Sequence, residues 1–305
     1  MRLIATIAAL AAAAMPAAAQ HPLSGTIIDV AAGEALPSMD MLIERLADAD
    51  VVVLGEVHDN PAHHAGQAEI IAGVGPDALA FEMVPPEAEA MIARLREDEA
   101  PAAVLGAAME WEQRGWPDFR MYAPIFAAAP TVPVTGGAVS GDAMRLAMEA
   151  GALAGAQAAL GHAARLFDLE AAYAPAVQAE AVADQVSAHC NAIPEHVASR
   201  MVEAQRLRDA AFADAVLRAR ALSDDGQVAL ITGSGHARTD RGVPRFLEAA
   251  DPSLSVISVA FREVSGEADT WEAYVDRSRP RHDYVVFTEA VDREDPCIAF
   301  RRSRE

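Results

Sequence analysis

Short, continuous apolar segments recur along the chain and alternate with helical patterns. Strands that are apolar on both faces are typical of a parallel sheet covered by helices on its two sides. Candidate strands lie at residues 50–56, 77–83, 131–137, 227–235 and 254–261, with residues 284–287 as a late edge-strand candidate. Candidate helices lie at residues 61–74, 86–97, 100–114 and 119–129. The alternation predicts an α/β fold with a mainly parallel sheet flanked by helices.

The interval 141–223 interrupts this alternation because it reads as one long helical region without a convincing strand. A crossover between parallel strands needs only about a dozen residues. We therefore expect a smaller, inserted all-helical subdomain at 141–223. The sheet domain would then comprise residues 21–140 and 224–305 of the 305-residue chain.

The first 20 residues, MRLIATIAALAAAAMPAAAQ, have the pattern of a cleaved signal peptide. Arg2 precedes an apolar stretch, and Ala17 to Ala19 offer a small-residue cleavage site. The stretch is too short and too rich in alanine for a good transmembrane helix. No cysteine stands near the cleavage site to accept a lipid anchor. The sequence predicts a periplasmic or secreted protein without stable membrane insertion.

The charge balance excludes several classes of function. The formal net charge is −21, and arginine supplies all 24 basic residues, since the chain has no lysine. A strongly negative protein repels nucleic acid and anionic membranes, so neither is an expected partner. The missing lysine also excludes Schiff-base chemistry and the P-loop.

The only two cysteines are Cys190 and Cys297. In an oxidising compartment they could form a disulfide that closes a long loop. The sequence leaves a pair of free thiols as an equal alternative.

The stretch DVVVLGEVHDNPAHH concentrates polar groups just past one predicted strand. Glu56 and His58 share a face of extended chain, because they are two residues apart. Asn60 and Pro61 have the pattern of a helix start, which places His63 and His64 in the first turn of that helix. For these last two histidines a solvated helix face is the alternative interpretation.

A second polar centre, ITGSGHARTDRGVPRFL, follows another predicted strand. Its glycines allow close approach of the backbone, and His236 should emerge at the same sheet edge as His58 and Glu82. Arg238, Arg241 and Arg245 follow as a cationic cluster suited to carboxylates or phosphates, as for a ligand that carries both a metal and such groups. The alternatives are plain ion pairs for the arginines and a capping role for Glu82.

Several motifs together resemble the ChaN-like haem-binding uptake proteins of the Tiki superfamily. The likeness extends from about residue 45 to about 250, through LGEVHDNPAHH, EWEQRGWPDFRMYAPI, AHCNAIPE, MVEAQRLRDAAFADAV and GSGHARTDRGVP. The matching residues are Glu56, His58, His63, His64, Glu82, His189, His236 and Arg238. The resemblance implies a parallel α/β domain with a smaller helical domain, haem binding, and a homodimer around haem as one option. The chain departs from the familiar pattern at Asn191 and Ser234 and in lacking a lipobox cysteine.

The first functional hypothesis is that haem binds between the sheet edge and the helical subdomain, with a role in haem or iron uptake. Histidine, tyrosine or cysteine can hold haem iron, and arginine can pair with its propionates. The candidate axial ligands are His58, His236, His189, Tyr122 and Tyr173. Arginines of the cluster could pair with the propionates, and Arg238 is the one among the cofactor-binding candidates. The candidate apolar walls, which are more often plain core at such spacing, are Met83, Trp116, Phe119 and Met121.

The second hypothesis is a metal-dependent hydrolase, a peptidase or esterase, because the wider superfamily includes both. Glu56, His58 and His236 would hold a divalent metal ion, or Glu56 would act as a general base while His236 stabilises charge. No HExxH pair is present. Whether the protein is an enzyme stays open at this point.

Overall fold

A computed structural model describes residues 20–266, 268–295, 297–298 and 302. The predicted signal peptide at residues 1–20 lies outside the described residues except for Gln20. The described strands are β1 (Ile27–Asp29), β2 (Glu34–Leu36), β3 (Val51–Glu56), β4 (Ala78–Phe81), β5 (Val134–Gly136), β6 (Val228–Gly233), β7 (Val256–Val264) and β8 (Tyr284–Glu289).

In the first half of the chain a helix lies in each predicted segment, but the helix expected at residues 100–114 is shorter than predicted and ends at Ala108. The described helices are α1 (Met39–Leu46), α2 (Pro61–Val74), α3 (Glu89–Glu97), α4 (Ala102–Ala108), α5 (Ala123–Ala128), α6 (Gly141–Ala150), α7 (Ala152–Leu160), α8 (Pro175–Ala188), α9 (Glu195–Leu222) and α10 (Val243–Ala250). Short 3₁₀ turns occupy Pro86–Ala88, Phe119–Met121, Gly161–Leu166 and Trp271–Ala273. In the part of the chain that is described, no helix has both the length and the apolar character that crossing a membrane requires.

The eight strands form one sheet in the order β2-β1-β8-β7-β3-β6-β4-β5. The six strands from β8 to β5 are mutually parallel, while β1 runs antiparallel to both β2 and β8. The α/β prediction is therefore confirmed. The prediction that residues 284–287 form an edge strand is wrong, because the β1–β2 hairpin covers the outer side of β8.

Successive strand residues pack into two separate cores, as expected for a sheet covered on both faces. Val52 and Leu54 of β3 pack with α1, α2, α3, α4 and α5 on one face. Val51 and Val53 pack with α6, α7, α9 and α10 on the other. Three helices of the inserted region thus share a core with the sheet, and its division into a separate subdomain stays a prediction.

Helix α8 stands apart from both of these layers. It contacts α9 through a small apolar cluster that contains Tyr173, Ala181 and Val202. Just past its C-terminus, Cys190 forms a disulfide with Cys297, 107 positions away in the sequence. Of the two alternatives for the cysteines, the structure has the disulfide.

Candidate functional site

Polar residues gather where three neighbouring parallel strands end. Glu56, the last residue of β3, is in register with Gly233, the last residue of β6. The backbone N–H of Glu82, just past β4, donates to the carbonyl of Ile231 on β6, with an N···O distance of 3.0 Å. Parallel pairing therefore brings Glu56, Glu82 and the glycine-rich turn after β6 to one edge of the sheet.

His58 is held by the carboxylate that precedes it. Its Nδ1 donates to Glu56 Oε1 at 2.8 Å, and its Nε2 lies 3.8 Å from Glu82 Oε1. Burial by itself would lower the pKa of His58, but the hydrogen bond to Glu56 and the charge of Glu82 hold that pKa above its usual value. The edge of the Trp116 ring packs on the imidazole, with the ring centres 5.0 Å apart.

Glu56 is buried and has three polar partners. Tyr122 donates its hydroxyl to Oε1 at 2.6 Å, and His64 Nδ1 lies 3.0 Å from Oε2. Burial favours the neutral acid, but the hydrogen bonds from His58 and His64 outweigh it and lower the pKa of Glu56. The site therefore holds a buried carboxylate anion among donors.

His63 and His64 are both buried within α2, so neither lies on a solvated helix face. Asn60 caps this helix by accepting from the N–H of Ala62, and Pro61 occupies the first turn. His63 Nδ1 accepts from the N–H of Val57 at 2.9 Å, and burial lowers its pKa to about 4. For His64, burial opposes the charged form, but Glu56 raises its pKa.

Glu82 is not a simple cap, because four groups converge on its buried carboxylate. Its Oε2 accepts from the hydroxyl of Thr232 at 2.7 Å and from the N–H of Gly233 at 2.8 Å. Its Oε1 accepts from the guanidinium of Arg208 on α9 and lies near His58. Burial raises the pKa of Glu82, but Arg208 and the two nearby histidines lower it to about 2.

His236 is the second imidazole at this edge, and it is anchored from the opposite side. Its Nδ1 donates to Oδ1 of the buried Asp209 on α9 at 2.7 Å. Burial raises the pKa of Asp209 despite the neighbouring imidazole. The ring of Phe212 packs edge-on against His236, with the ring centres 4.9 Å apart.

A cavity of about 470 Å³, which we call the rim cavity, lies between this sheet edge and helices α8 and α9. Both His58 and His236 line it, together with Gly233, Gln185, Arg208 and Arg241. The side chains of His58 and His236 are 32% and 12% exposed. Within the described residues, the Nε2 atom of neither ring has a hydrogen-bond partner.

This arrangement fits haem iron, because a metal-binding histidine usually donates its other ring N–H to a carboxylate or carbonyl. Glu56 and Asp209 provide that anchor for His58 and His236. In each imidazole, Nδ1 is therefore hydrogen-bonded to a carboxylate, and Nε2 is available beside the cavity. The apolar Ala181, Ala188 and Val202 form another part of its wall.

The structure does not bring every candidate to the rim cavity. Arg238 is buried against Asp240 and Glu180, as the ion-pair alternative expects, and it does not line the cavity. His189, which follows α8, donates from Nδ1 to the carbonyl of Gln185 at 2.8 Å. It does not line the cavity either.

The two tyrosine candidates are committed to other partners. Tyr122 is buried with its hydroxyl on Glu56, and the Tyr173 hydroxyl donates to the carbonyl of Arg241 at 2.8 Å. Burial raises the pKa of both phenols above the usual value, which disfavours a phenolate ligand. Of the candidate walls, Met83 and Phe119 lie in the core.

The structure adds two residues that sequence reasoning missed, Arg208 and Asp209. Both lie on α9 and line the rim cavity beside the two imidazoles. The available signal was the charged run RLRD inside a helix that is otherwise rich in alanine. A charge in such a buried stretch needs a partner, and Glu82 and His236 are those partners.

The divalent-metal alternative finds no support in this geometry. Among the described residues, no group of three or more His, Cys, Asp or Glu side chains is arranged to hold a metal ion. Of the expected ligands, Glu56 is already engaged: its Oε1 accepts from His58 and Tyr122, and His64 lies 3.0 Å from its Oε2.

Among the solved structures compared, one has the same fold. The structure described as "Cofacial heme binding to ChaN of Campylobacter jejuni" aligns with a TM-score of 0.64 and 18% identity, covering 85% of this chain and 95% of that chain. The type III effector HopBA1 aligns with a TM-score of 0.43 and 14% identity, covering 83% of this chain and 94% of that chain. The erythromycin esterase EreC aligns with a TM-score of 0.38 and 11% identity, covering 78% of this chain and 76% of that chain. The last two similarities are too low to support an argument about function.

Comparison with families gives the identity of the chain. No curated protein matches it significantly. The model of the family described as "Haem-binding uptake, Tiki superfamily, ChaN" matches residues 42–247, which is more than half of the 305 residues. The match includes every residue singled out at the sheet edge, from Glu56 to Arg241. The chain therefore belongs to this ChaN family of the Tiki superfamily.

Proposed function

We propose that this protein binds haem in the rim cavity and that His58 is the axial iron ligand. The observation that carries the proposal is the pair of imidazoles beside one cavity, each anchored through Nδ1 by a buried carboxylate. Membership of a family described by haem-binding uptake supports it. The description of the Campylobacter jejuni relative by cofacial haem binding is consistent with the same ligand.

His58 is the better iron ligand of the two imidazoles for two reasons. Its side chain is more exposed than that of His236, at 32% against 12%. Its anchor is also the stronger anion, because the pKa of Glu56 is lowered by its hydrogen bonds, whereas burial raises the pKa of Asp209, the anchor of His236. His236 then contributes another part of the cavity wall.

The size and lining of the rim cavity also suit a large ligand with one polar end. Its volume of about 470 Å³ lies within the range of roughly 300–1,000 Å³ common for small-molecule sites. When bound, haem supplies the iron that an imidazole can ligate. Ala181, Ala188 and Val202 offer apolar contacts from α8 and α9, while Arg208 and Arg241 supply positive charge.

The proposal extends to haem or iron uptake outside the cytoplasm. The signal-peptide pattern of residues 1–20 and the disulfide between Cys190 and Cys297 both suit an oxidising compartment. A homodimer that pairs around haem belongs to the same proposal, because the related structure is described by cofacial haem binding. Sedimentation of the protein with and without haem tests that pairing.

The direct test is titration of the purified protein with haem, followed in the Soret region. We expect a saturable band for the wild type, with a weaker and shifted band for His58→Ala. His196→Ala is the matched control, because His196 is an exposed residue of α9 that does not line the cavity. Metal analysis of the purified protein accompanies the titration.

Absence of any saturable band in the wild type would overturn haem binding itself. An unchanged band and affinity in His58→Ala would overturn the ligand assignment. His58→Gln, which keeps a polar side chain of similar size, provides a second variant if the alanine protein does not fold. Circular dichroism of each variant reports on folding independently of haem.

A further inference from the structure

Arg241 is largely buried, and one of its N–H donor groups has no hydrogen-bond partner among the described residues. It lines the rim cavity, and its side chain is only 14% exposed. Its Nη2 donates to the carboxylate of Asp184 on α8. Its Nη1 is buried and has no hydrogen-bond partner among the residues that the structure describes.

The neighbouring arginines differ from Arg241 in this respect. Arg238 uses Nε and Nη2 for Asp240 and Nη1 for Glu180. The guanidinium of Arg245 lies over the Tyr173 ring, 5.1 Å from its centre.

Arg208, the other arginine on the cavity wall, has both of its terminal nitrogens paired. It uses one terminal nitrogen for Glu82 and the other for Gln205. Among the described arginines that line the cavity, Arg241 is thus the one with a terminal nitrogen that is buried and unpaired.

An unpaired buried donor on a charged group is costly, and an anionic oxygen is its best partner. The planar guanidinium presents two parallel N–H groups to a carboxylate, which point charges cannot do. The present partner, Asp184, is 52% exposed and can turn into solvent when another carboxylate competes for the guanidinium.

We propose that Arg241 pairs with a carboxylate of the bound ligand, so that the rim cavity selects porphyrins that carry free carboxylates. The inference rests on the proposed haem site and adds the residue that recognises the acidic end of the ligand. It selects Arg241 from the cluster of arginines that the sequence suggested for carboxylates, in place of Arg238 among the cofactor-binding candidates. Asp184 acts as an internal competitor for the same guanidinium.

The test compares metal-free protoporphyrin IX with its dimethyl ester, because esterification removes the charge and leaves the macrocycle unchanged. Binding is followed by porphyrin fluorescence, which needs no iron. We expect Arg241→Gln to weaken binding of the diacid about 10-fold or more and to leave the ester unaffected. Arg245→Gln is the matched control, since Arg245 does not line the cavity, and it should change neither affinity.

A second variant keeps the test decisive if Arg241→Gln does not fold. Asp184→Asn removes the competitor from a half-exposed position, and we expect tighter binding of the diacid with no change for the ester. Equal effects on the diacid and the ester in both variants would overturn the role of Arg241. Failure of the wild type to bind either porphyrin or haem would instead overturn the proposed function.

Discussion

His58 Nδ1 lies 2.8 Å from Glu56 Oε1, and the two residues stand on either side of the point where a central strand ends. The hydrogen bond fixes the imidazole ring and leaves Nε2 as its available nitrogen. The same carboxylate oxygen accepts from Tyr122, so the anchor is itself held in place. Glu56 is therefore a positioning residue for His58.

Glu56→Gln should weaken haem binding by about 10- to 100-fold, as expected when the residue that orients a metal ligand is replaced. The amide retains the shape of the side chain but loses the charge that anchors His58. Haem titration measures the change, and circular dichroism checks the fold. Asp209→Asn is the matched comparison, since it alters the same kind of anchor for His236.

We expect Asp209→Asn to have the smaller effect on haem affinity, because His236 is not the proposed iron ligand. A larger loss of haem affinity in Asp209→Asn than in Glu56→Gln would indicate that His236, and not His58, is the iron ligand. Equal, negligible losses would contradict iron ligation by either imidazole.

Gly233→Ala tests the space next to His58. A Cβ at Gly233 would lie 3.3 Å from His58 Nε2 and 3.6 Å from Glu82 Oε2. These contacts are tight enough to obstruct a ligand at Nε2, yet small shifts of the side chains can relieve them. We predict a clear loss of haem affinity with little change in melting temperature.

Gly235→Ala is the control for this prediction. Gly235 also lines the rim cavity, but a Cβ there would meet nothing within 4 Å. Its haem affinity should match that of the wild type. Identical behaviour of the two alanine variants would show that the space beside Nε2 is irrelevant to binding.

The buried, neutral His63 makes stability depend on pH. Burial depresses its pKa to about 4 from the ordinary 6.5, so the unfolded chain binds the proton more readily between these values. The free energy of unfolding should therefore fall as pH drops from about 6.5 to 4, by up to about 3 kcal/mol from this residue. Urea unfolding at several pH values measures the slope.

His63→Gln should flatten that slope, because glutamine does not titrate. Ile70→Val is the control: it lowers the stability of the same helix by about 0.5–1.5 kcal/mol at every pH, since it removes only a buried methyl group. A slope that is the same in His63→Gln and wild type would contradict the burial of a neutral imidazole at this position.

The disulfide gives a prediction about stability. Cys190 and Cys297 are 107 positions apart, and closing so long a loop restricts the unfolded chain. Reduction, or the double replacement by serine, should lower the free energy of unfolding by about 2–4 kcal/mol. Thiol titration of the unfolded protein should find no free thiol before reduction. If the reductant left the melting temperature unchanged, the disulfide would not stabilise the protein as predicted.

The sequence predicted most of the parallel sheet, because its strands lie in continuous apolar segments that are bounded by helices. Helix α2 was predicted at its observed bounds, since Asn60 and Pro61 mark its start and Gly75 caps its end in a left-handed conformation. Parallel neighbours share one carboxyl edge, so the approach of Glu56, Glu82 and His236 followed from strand ends alone.

What escaped prediction depended on tertiary contacts. Strands β1 and β2 were missed because they are short and β2 is largely exposed, so neither lies in a long continuous apolar segment. Because they pair with β8, the expected edge strand is an interior one. Helix α4 ends at Ala108, earlier than its apolar pattern predicted, and Glu110 has a positive φ of 52°. The run RLRD marks Arg208 and Asp209 as charges in an alanine-rich helix, but no local spacing could indicate that their partners are Glu82 and His236.

The most direct test of the central claim is a crystal structure of the protein grown with haem. We expect the macrocycle in the rim cavity, with iron bound to Nε2 of His58 and a propionate on Arg241. Haem bound at another surface, or iron held by a side chain outside that cavity, would contradict it.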